Sequence, residues 1–119
     1  MKHFHHSEFD SPDKPGSGKD MDATFLSMLD EARELSGCAY RITSGYRTQT
    51  HNKKVGGASK SSHLIGHAAD IAAPDSASRY KIIRGLILAG FTRIGVGRTF
   101  IHCDNDPGKA PRVMWHYYK

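Results

Sequence analysis

The sequence has no hydrophobic run long enough to cross a membrane, and it contains only two cysteines and one tryptophan. Its longest apolar segment, IIRGLILAGF, includes an arginine and two glycines and falls short of the roughly 20 residues that a membrane-spanning helix needs. Cys38 and Cys103 allow at most one disulfide, and their spacing does not require it. We therefore expect no membrane insertion and two buried free thiols.

The first residues, MKHFHHSEFDSPD, lack the apolar core and the small-residue cleavage site of a secretory signal. We see no signal peptide, so we expect either synthesis in a cytoplasm or a secreted protein whose signal was removed.

The chain has 119 residues and a net charge of +5, with lysines and arginines spread along its length. Such a surface suits nucleic acid, anionic lipid or an acidic cell-wall polymer, and charge alone does not choose among them. No motif combines aromatic and basic residues in the manner of a nucleic-acid binder, so we expect no nucleic-acid partner.

Helices and strands are mixed along the chain. Residues 1–20, rich in Pro, Gly, Ser and Asp, indicate an irregular N-terminal arm, and helical periodicity then continues to Gly37. A second helix is expected to begin at its cap, Ser76, and to end at Gly90. Its expected buried face consists of Tyr80, Ile83, Leu86 and Ile87. A short helix is possible after residue 46, and strands are predicted in AYRITSGYR, AADIAA, FTRIGVG, TFIHCD and RVMWHYY.

This mixture lacks a regular βαβ alternation. It predicts a single α+β domain over residues 1–119, with a central, largely antiparallel sheet and helices packed on it.

The segment SSHLIGHAADI and the segment FIHCD contain side chains that can bind a metal ion. His63 and Asp70 flank a glycine-containing bend, while His102 and Asp104 lie two apart on a predicted strand and so share a face. A catalytic zinc needs about three protein ligands and one open position. His102 alone could be a hydrogen-bonded core residue, but a buried Asp70 requires a cation or hydrogen-bond donors. Two histidines and one carboxylate would also suit iron or manganese.

The run SGYRTQTHNKKVGGASKSSHLIGHAADI resembles the zinc D-alanyl-D-alanine carboxypeptidase family, whose fold is shared with the hedgehog signalling domain. The family pattern S-x-H-x-x-G-x-A-x-D is matched in register by Ser61, His63, Gly66, Ala68 and Asp70. The upstream pattern S-G-Y-R is matched by residues 44–47, and GVGRTFIHCD is similar to the segment that carries the last histidine ligand.

This resemblance implies one zinc ion per chain, bound by His63, Asp70 and His102. It implies that Arg47 holds a substrate carboxylate or the scissile carbonyl, for which a planar fork of donors is suited. Ser61 would contact substrate or cap the ligand loop.

The sequence departs from the family pattern just before the last ligand. Several members carry an acidic residue or a histidine two or three positions before it, where this chain has Thr99 and Phe100. Asp104 is therefore our candidate for the catalytic base, and its alternative role is to fix the tautomer of a zinc-binding histidine. His67 and His116 are weaker candidates.

By this resemblance the chain is expected to be a monomeric zinc metallopeptidase that hydrolyses an amide bond in peptidoglycan stem peptides. It would act as a carboxypeptidase or endopeptidase at the bacterial cell wall, as a phage-type lysin (endolysin) does. The alternative is a catalytically silent, zinc-containing module that binds the cell wall or a peptide, and the missing acidic residue favours it.

Overall fold

The computed structural model describes residues 1–118 and contains one five-stranded sheet. The strands are β1 (Ile42–Ser44), β2 (Ala68–Ala72), β3 (Arg93–Val96), β4 (Phe100–Asp104) and β5 (Val113–His116). Their spatial order is β1-β2-β4-β3-β5, and only the β3–β5 pairing is parallel. The structure confirms the predicted α+β class and the largely antiparallel sheet.

Three α-helices accompany the sheet: α1 (Ala23–Ser36), α2 (Gln49–Lys54) and α3 (Ser76–Leu88). Helix α1 begins after Asp22, whose side chain accepts a hydrogen bond from the Phe25 N–H, and it ends at Gly37 in the left-handed conformation. Helix α1 packs mainly against α3. Gly85 of α3 allows the two helices to approach each other closely. A Cβ atom at Gly85 would lie 2.6 Å from the Ala32 carbonyl oxygen.

One prediction for α3 was wrong and another was confirmed only in part. The N-cap is Asp75 rather than Ser76, because the Asp75 carboxylate accepts a hydrogen bond from the Ser78 N–H. Of the predicted buried face, Leu86 is buried and Ile83 is partly buried, whereas Tyr80 is 70% exposed and Ile87 is 53% exposed. The other buried residues of the helix are Ile82 and Gly85. Helix α3 buries the face that contains Gly85, because it contacts α1 there. The spacing of large apolar side chains in the sequence does not reveal a contact made through a glycine.

Residues 1–20 contain two 3-10 helices, His6–Phe9 and Ser17–Asp20, and they contribute Phe4 and Phe9 to the core. Phe9 packs against Gly45, where a Cβ atom would lie only 2.7 Å from the Phe9 Cα. The Phe9 carbonyl also accepts a hydrogen bond from the Tyr46 N–H at 2.8 Å. The N-terminal segment is therefore packed directly beneath the loop that follows β1.

No helix among residues 1–118 is long and apolar enough to span a membrane. Cys38 and Cys103 are both free thiols. Cys103 is completely buried, as predicted, whereas Cys38 is only partly buried.

Replacing Phe9 with alanine should lower the free energy of unfolding by about 3–5 kcal/mol, because a fully buried aromatic side chain is lost from the core. Urea denaturation would measure the change. Tyr80→Ala is the control, since that side chain is exposed and its loss should change stability by less than about 0.5 kcal/mol. An unchanged unfolding midpoint in Phe9→Ala would show that the N-terminal segment does not contribute to the core.

Candidate metal centre

Strands β2 and β4 place an acidic and a basic side chain directly opposite each other. Asp70 pairs with His102 in the antiparallel register, and Asp70 Oδ1 lies 2.9 Å from His102 Nδ1. Both residues project from the same face of the sheet as Asp104, which follows His102 by two positions. The strand period therefore brings together the residues that the sequence analysis singled out in this part of the chain.

His63 reaches the same point from a short 3-10 helix, Ser62–Ile65. Ser61 caps this helix, with its hydroxyl oxygen accepting a hydrogen bond from the His63 N–H at 3.3 Å. Gly66 ends it with φ of 75°, and a Cβ atom there would lie 2.7 Å from the Asp20 carbonyl oxygen. These constraints explain why the loop needs glycine at position 66, and they place His63 Nε2 3.4 Å from Asp70 Oδ1.

Ligand atoms of His63, Asp70 and His102 all lie within 4.8 Å of one another. His63 Nδ1 donates to the Gly45 carbonyl at 2.7 Å, which leaves Nε2 free as a ligand. His102 Nε2 donates to Asp104 at 2.8 Å, which leaves Nδ1 as its ligand atom. Two imidazole nitrogens and one carboxylate oxygen, each fixed by a neighbour, form a set that fits a zinc ion.

The charges within this cluster are closely coupled. Burial alone raises the pKa of Asp70, but the contacts with the His102 and His63 rings outweigh it and hold that pKa well below its usual range. Burial lowers the pKa of His102, whereas hydrogen bonds with Asp104 and Asp70 raise it more, so the net shift is upward. The Asp70 and Asp104 carboxylates thus favour a positive charge between them, and a bound cation would supply it.

Asp104 has three hydrogen-bond partners, one of which is the Asp106 backbone N–H at 3.2 Å from Oδ1. One carboxylate oxygen accepts the hydrogen bond from His102, and the other accepts one from Arg93 Nε at 2.7 Å. Burial raises the pKa of Asp104, but the bonds with His102 and Arg93 bring the net value below the ordinary one. The side chain is 1% exposed. These contacts support the tautomer-fixing role that the sequence analysis left open for Asp104.

Arg47 lies at the other side of the cluster, directly after the turn that follows β1. Its guanidinium donates to the Ser44 hydroxyl at 3.0 Å and to Asn52 Oδ1 at 3.2 Å, and it lies 3.5 Å from Asp70 Oδ2. Burial lowers the pKa of Arg47 and Asp70 opposes this shift, but an arginine side chain stays charged in proteins. The fork of donors is thus held rigidly beside the metal-binding residues.

These groups line a pocket of about 320 Å³. One wall comes from the loop after α2 and includes Gly56, Gly57 and Ala58. The other lining residues are Arg47, Val55, Ser61, Ser62, His63, Asp70, Arg93, Phe100, His102, Asp104, Lys109, Trp115 and Tyr117. Sequence patterns did not indicate Arg93 or Lys109 as pocket residues, although the pairing of Arg93 with Asp104 on the neighbouring strand follows from the sheet register.

The two weaker candidates for the catalytic base, His67 and His116, lie apart from the cluster. His67 Nδ1 lies 2.7 Å from Asn105 Oδ1, and its other nitrogen faces Asp22 at 3.8 Å. His116 is exposed on β5, where its Nδ1 accepts a hydrogen bond from the Tyr118 N–H. Neither residue is among those that line the pocket.

Comparison with known proteins agrees with this site. A family model described as Peptidase M15 matches residues 2–104, which include every residue of the proposed ligand set and Arg47. A search among curated proteins returned no match. Because the match covers most of the sequence, the chain belongs to the M15 peptidase family, the family of the zinc D-alanyl-D-alanine carboxypeptidases.

Proposed function

We propose that this protein is a zinc-dependent peptidase that hydrolyses an amide bond in the peptide stems of peptidoglycan. The observation that carries the proposal is the cluster of His63, Asp70 and His102 at a pocket of an M15 peptidase chain. We propose these three residues as the ligands of one zinc ion.

Zinc in such a site supplies Lewis acidity, which polarises the scissile carbonyl and activates a water molecule near neutral pH. The protein's part is to hold the ligands in the correct protonation state. The Gly45 carbonyl fixes the His63 tautomer, and the Asp104 carboxylate fixes that of His102. We assign Asp104 to this positioning role, which Arg93 supports by binding its second oxygen.

Arg47 is the residue that we assign to substrate binding. Three side chains hold its guanidinium, yet it still lines the pocket next to the ligand cluster. A planar guanidinium can bind a peptide carboxylate through two parallel hydrogen bonds, or it can stabilise the charge that develops on a carbonyl oxygen. Ser61 caps the 3-10 helix that carries His63, and it also lines the pocket. We therefore assign Ser61 a second role, as a residue that contacts the substrate.

The cations around the pocket suit an acidic peptide. Arg47, Arg93 and Lys109 all line it, and stem peptides carry free carboxylates. The candidate bonds are D-Ala-D-Ala, L-Ala-D-Glu and a cross-bridge, cut by a carboxypeptidase or an endopeptidase. The protein in this proposal is a monomer that acts at the bacterial cell wall, for example as a phage-type lysin.

One observation favours a second candidate, a zinc-containing binding module without turnover. Phe100 lies where several relatives carry a proton-transferring residue, and its ring packs on Tyr117 at 5.3 Å instead of offering a polar group. A silent module would bind stem peptides and zinc but would release no product.

Zinc-loaded protein should release new amino groups from purified stem peptides, and removing the metal with a chelator should abolish this activity reversibly. Arg47→Ala should keep its zinc and lose about 10²-fold in kcat/KM, because one preorganised donor that binds the substrate is missing. His67→Ala is the matched control and should remain active. Mass spectrometry of the digest identifies the bond, and intact peptides with fully zinc-loaded protein would favour the binding module.

Replacing Asp104 with asparagine should weaken zinc binding by roughly 10–100-fold, because the partner that fixes the His102 tautomer is altered. Competition with a chromophoric chelator measures this affinity. Asp106→Asn is the control, since the Asp106 side chain contacts Ser62 and Lys109, and the bond from its backbone N–H to Asp104 does not depend on the side chain. Unchanged zinc affinity combined with lost turnover would instead assign Asp104 as the catalytic base.

A further inference from the structure

Tyr117 follows β5 directly and lies beyond the region that the family model matches. Its backbone N–H donates to the Val96 carbonyl at 3.1 Å, which continues the pairing of β5 with β3. Its ring packs near Phe100, Trp115 and His102, with centroid separations of 5.3, 6.3 and 6.5 Å. Tyr117 therefore forms part of the pocket wall next to a proposed metal ligand.

Gly95 makes this position possible. In the sheet register it lies between His102 on β4 and Trp115 on β5. A Cβ atom at Gly95 would lie 2.7 Å from Trp115 Nε1 and 2.8 Å from Tyr117 Cε2. The missing side chain thus lets two aromatic residues lie over β3 and extend toward the ligand cluster.

The Tyr117 side chain is accessible from the pocket. It lines the pocket and is 46% exposed, so a substrate bound there can contact it. A tyrosine phenol has an ordinary pKa of about 10, so it keeps its proton at neutral pH and can donate a hydrogen bond.

Arg47 and Tyr117 approach the cluster from opposite edges of the sheet. Arg47 follows β1, the first strand in the spatial order, and Tyr117 follows β5, the last. Arg47 is held beside Asp70 Oδ2, whereas Tyr117 packs on the side of His102. A substrate in the pocket would therefore have a cationic donor on one side and a neutral donor on the other.

We propose that the Tyr117 hydroxyl is a catalytic hydrogen-bond donor that binds the scissile carbonyl oxygen as negative charge develops on it. This assignment rests on the proposed peptidase function and leaves Arg47 free to bind the carboxylate of the substrate. It also gives the segment after β4, which the family match does not include, a direct part in the reaction.

Tyr117→Phe tests the assignment, because it removes the hydroxyl and keeps the ring that packs on Phe100 and Trp115. We expect kcat to fall by about 10²-fold with KM, zinc content and melting temperature unchanged. Tyr118→Phe is the matched control, since that ring packs against Arg98 and His116 outside the pocket, and it should retain full activity.

A binding measurement gives a second readout that does not depend on turnover. A phosphinate dipeptide, which mimics the tetrahedral transition state, should bind Tyr117→Phe more weakly by a factor similar to the loss in kcat, while a dipeptide product binds equally well. Unchanged kcat and unchanged phosphinate affinity in Tyr117→Phe would overturn the assignment and leave the peptidase function standing. A wild-type protein that cleaves no stem peptide would overturn both the proposed function and the catalytic role of Tyr117, whatever it binds.

Discussion

The pairing of β2 with β4 is the constraint on which the site depends. In this register Asp70 lies opposite His102, and the two side chains contact each other on one face of the sheet. Because side chains alternate along a strand, a shift of one residue would turn one of these side chains to the opposite face. It would also turn Cys103, which is completely buried, out of the core. Core packing and the metal-binding geometry therefore require the same register.

A second layer of contacts positions the cluster and balances its charge. Each proposed ligand histidine has one ring nitrogen bound by an oxygen of the protein, so only the other nitrogen faces the cluster. The carboxylates of Asp70 and Asp104 each have an arginine nearby. Arg47 lies beside Asp70, and Arg93 donates a hydrogen bond to Asp104. This arrangement compensates buried charges, which would be unfavourable without partners.

The N-terminal segment contributes to the site indirectly. Phe9 packs on Gly45, and the Gly45 carbonyl binds His63. Thr48, next to Arg47, donates through its N–H to the Ser11 hydroxyl and through its own hydroxyl to Asp13. The segment that the sequence suggested to be an irregular arm thus supports both a proposed ligand and the proposed substrate-binding arginine.

Local patterns in the sequence were sufficient to predict the class of fold and most strands, because strand alternation carries that information. The ligand set of His63, Asp70 and His102 came from the resemblance to the carboxypeptidase family, whose motif these segments match. The buried face of α3 could be predicted only in part from local patterns, since it depends on a glycine contact with α1. The position of Arg93 required the strand order, which brings β3 beside β4. The packing of Phe9 beneath Gly45 is a contact between distant parts of the chain, and composition alone contains no signal for it.

The measurement that tests the central claim most directly is the zinc content of purified wild-type protein and of His63→Ala, determined by elemental analysis, with circular dichroism to verify folding. His67→Ala, which changes a nearby histidine outside the cluster, serves as the reference. The account predicts one zinc per chain in the wild type and in His67→Ala, and none in folded His63→Ala. A wild-type protein without zinc after reconstitution, or a His63→Ala variant that still binds it fully, would contradict the account.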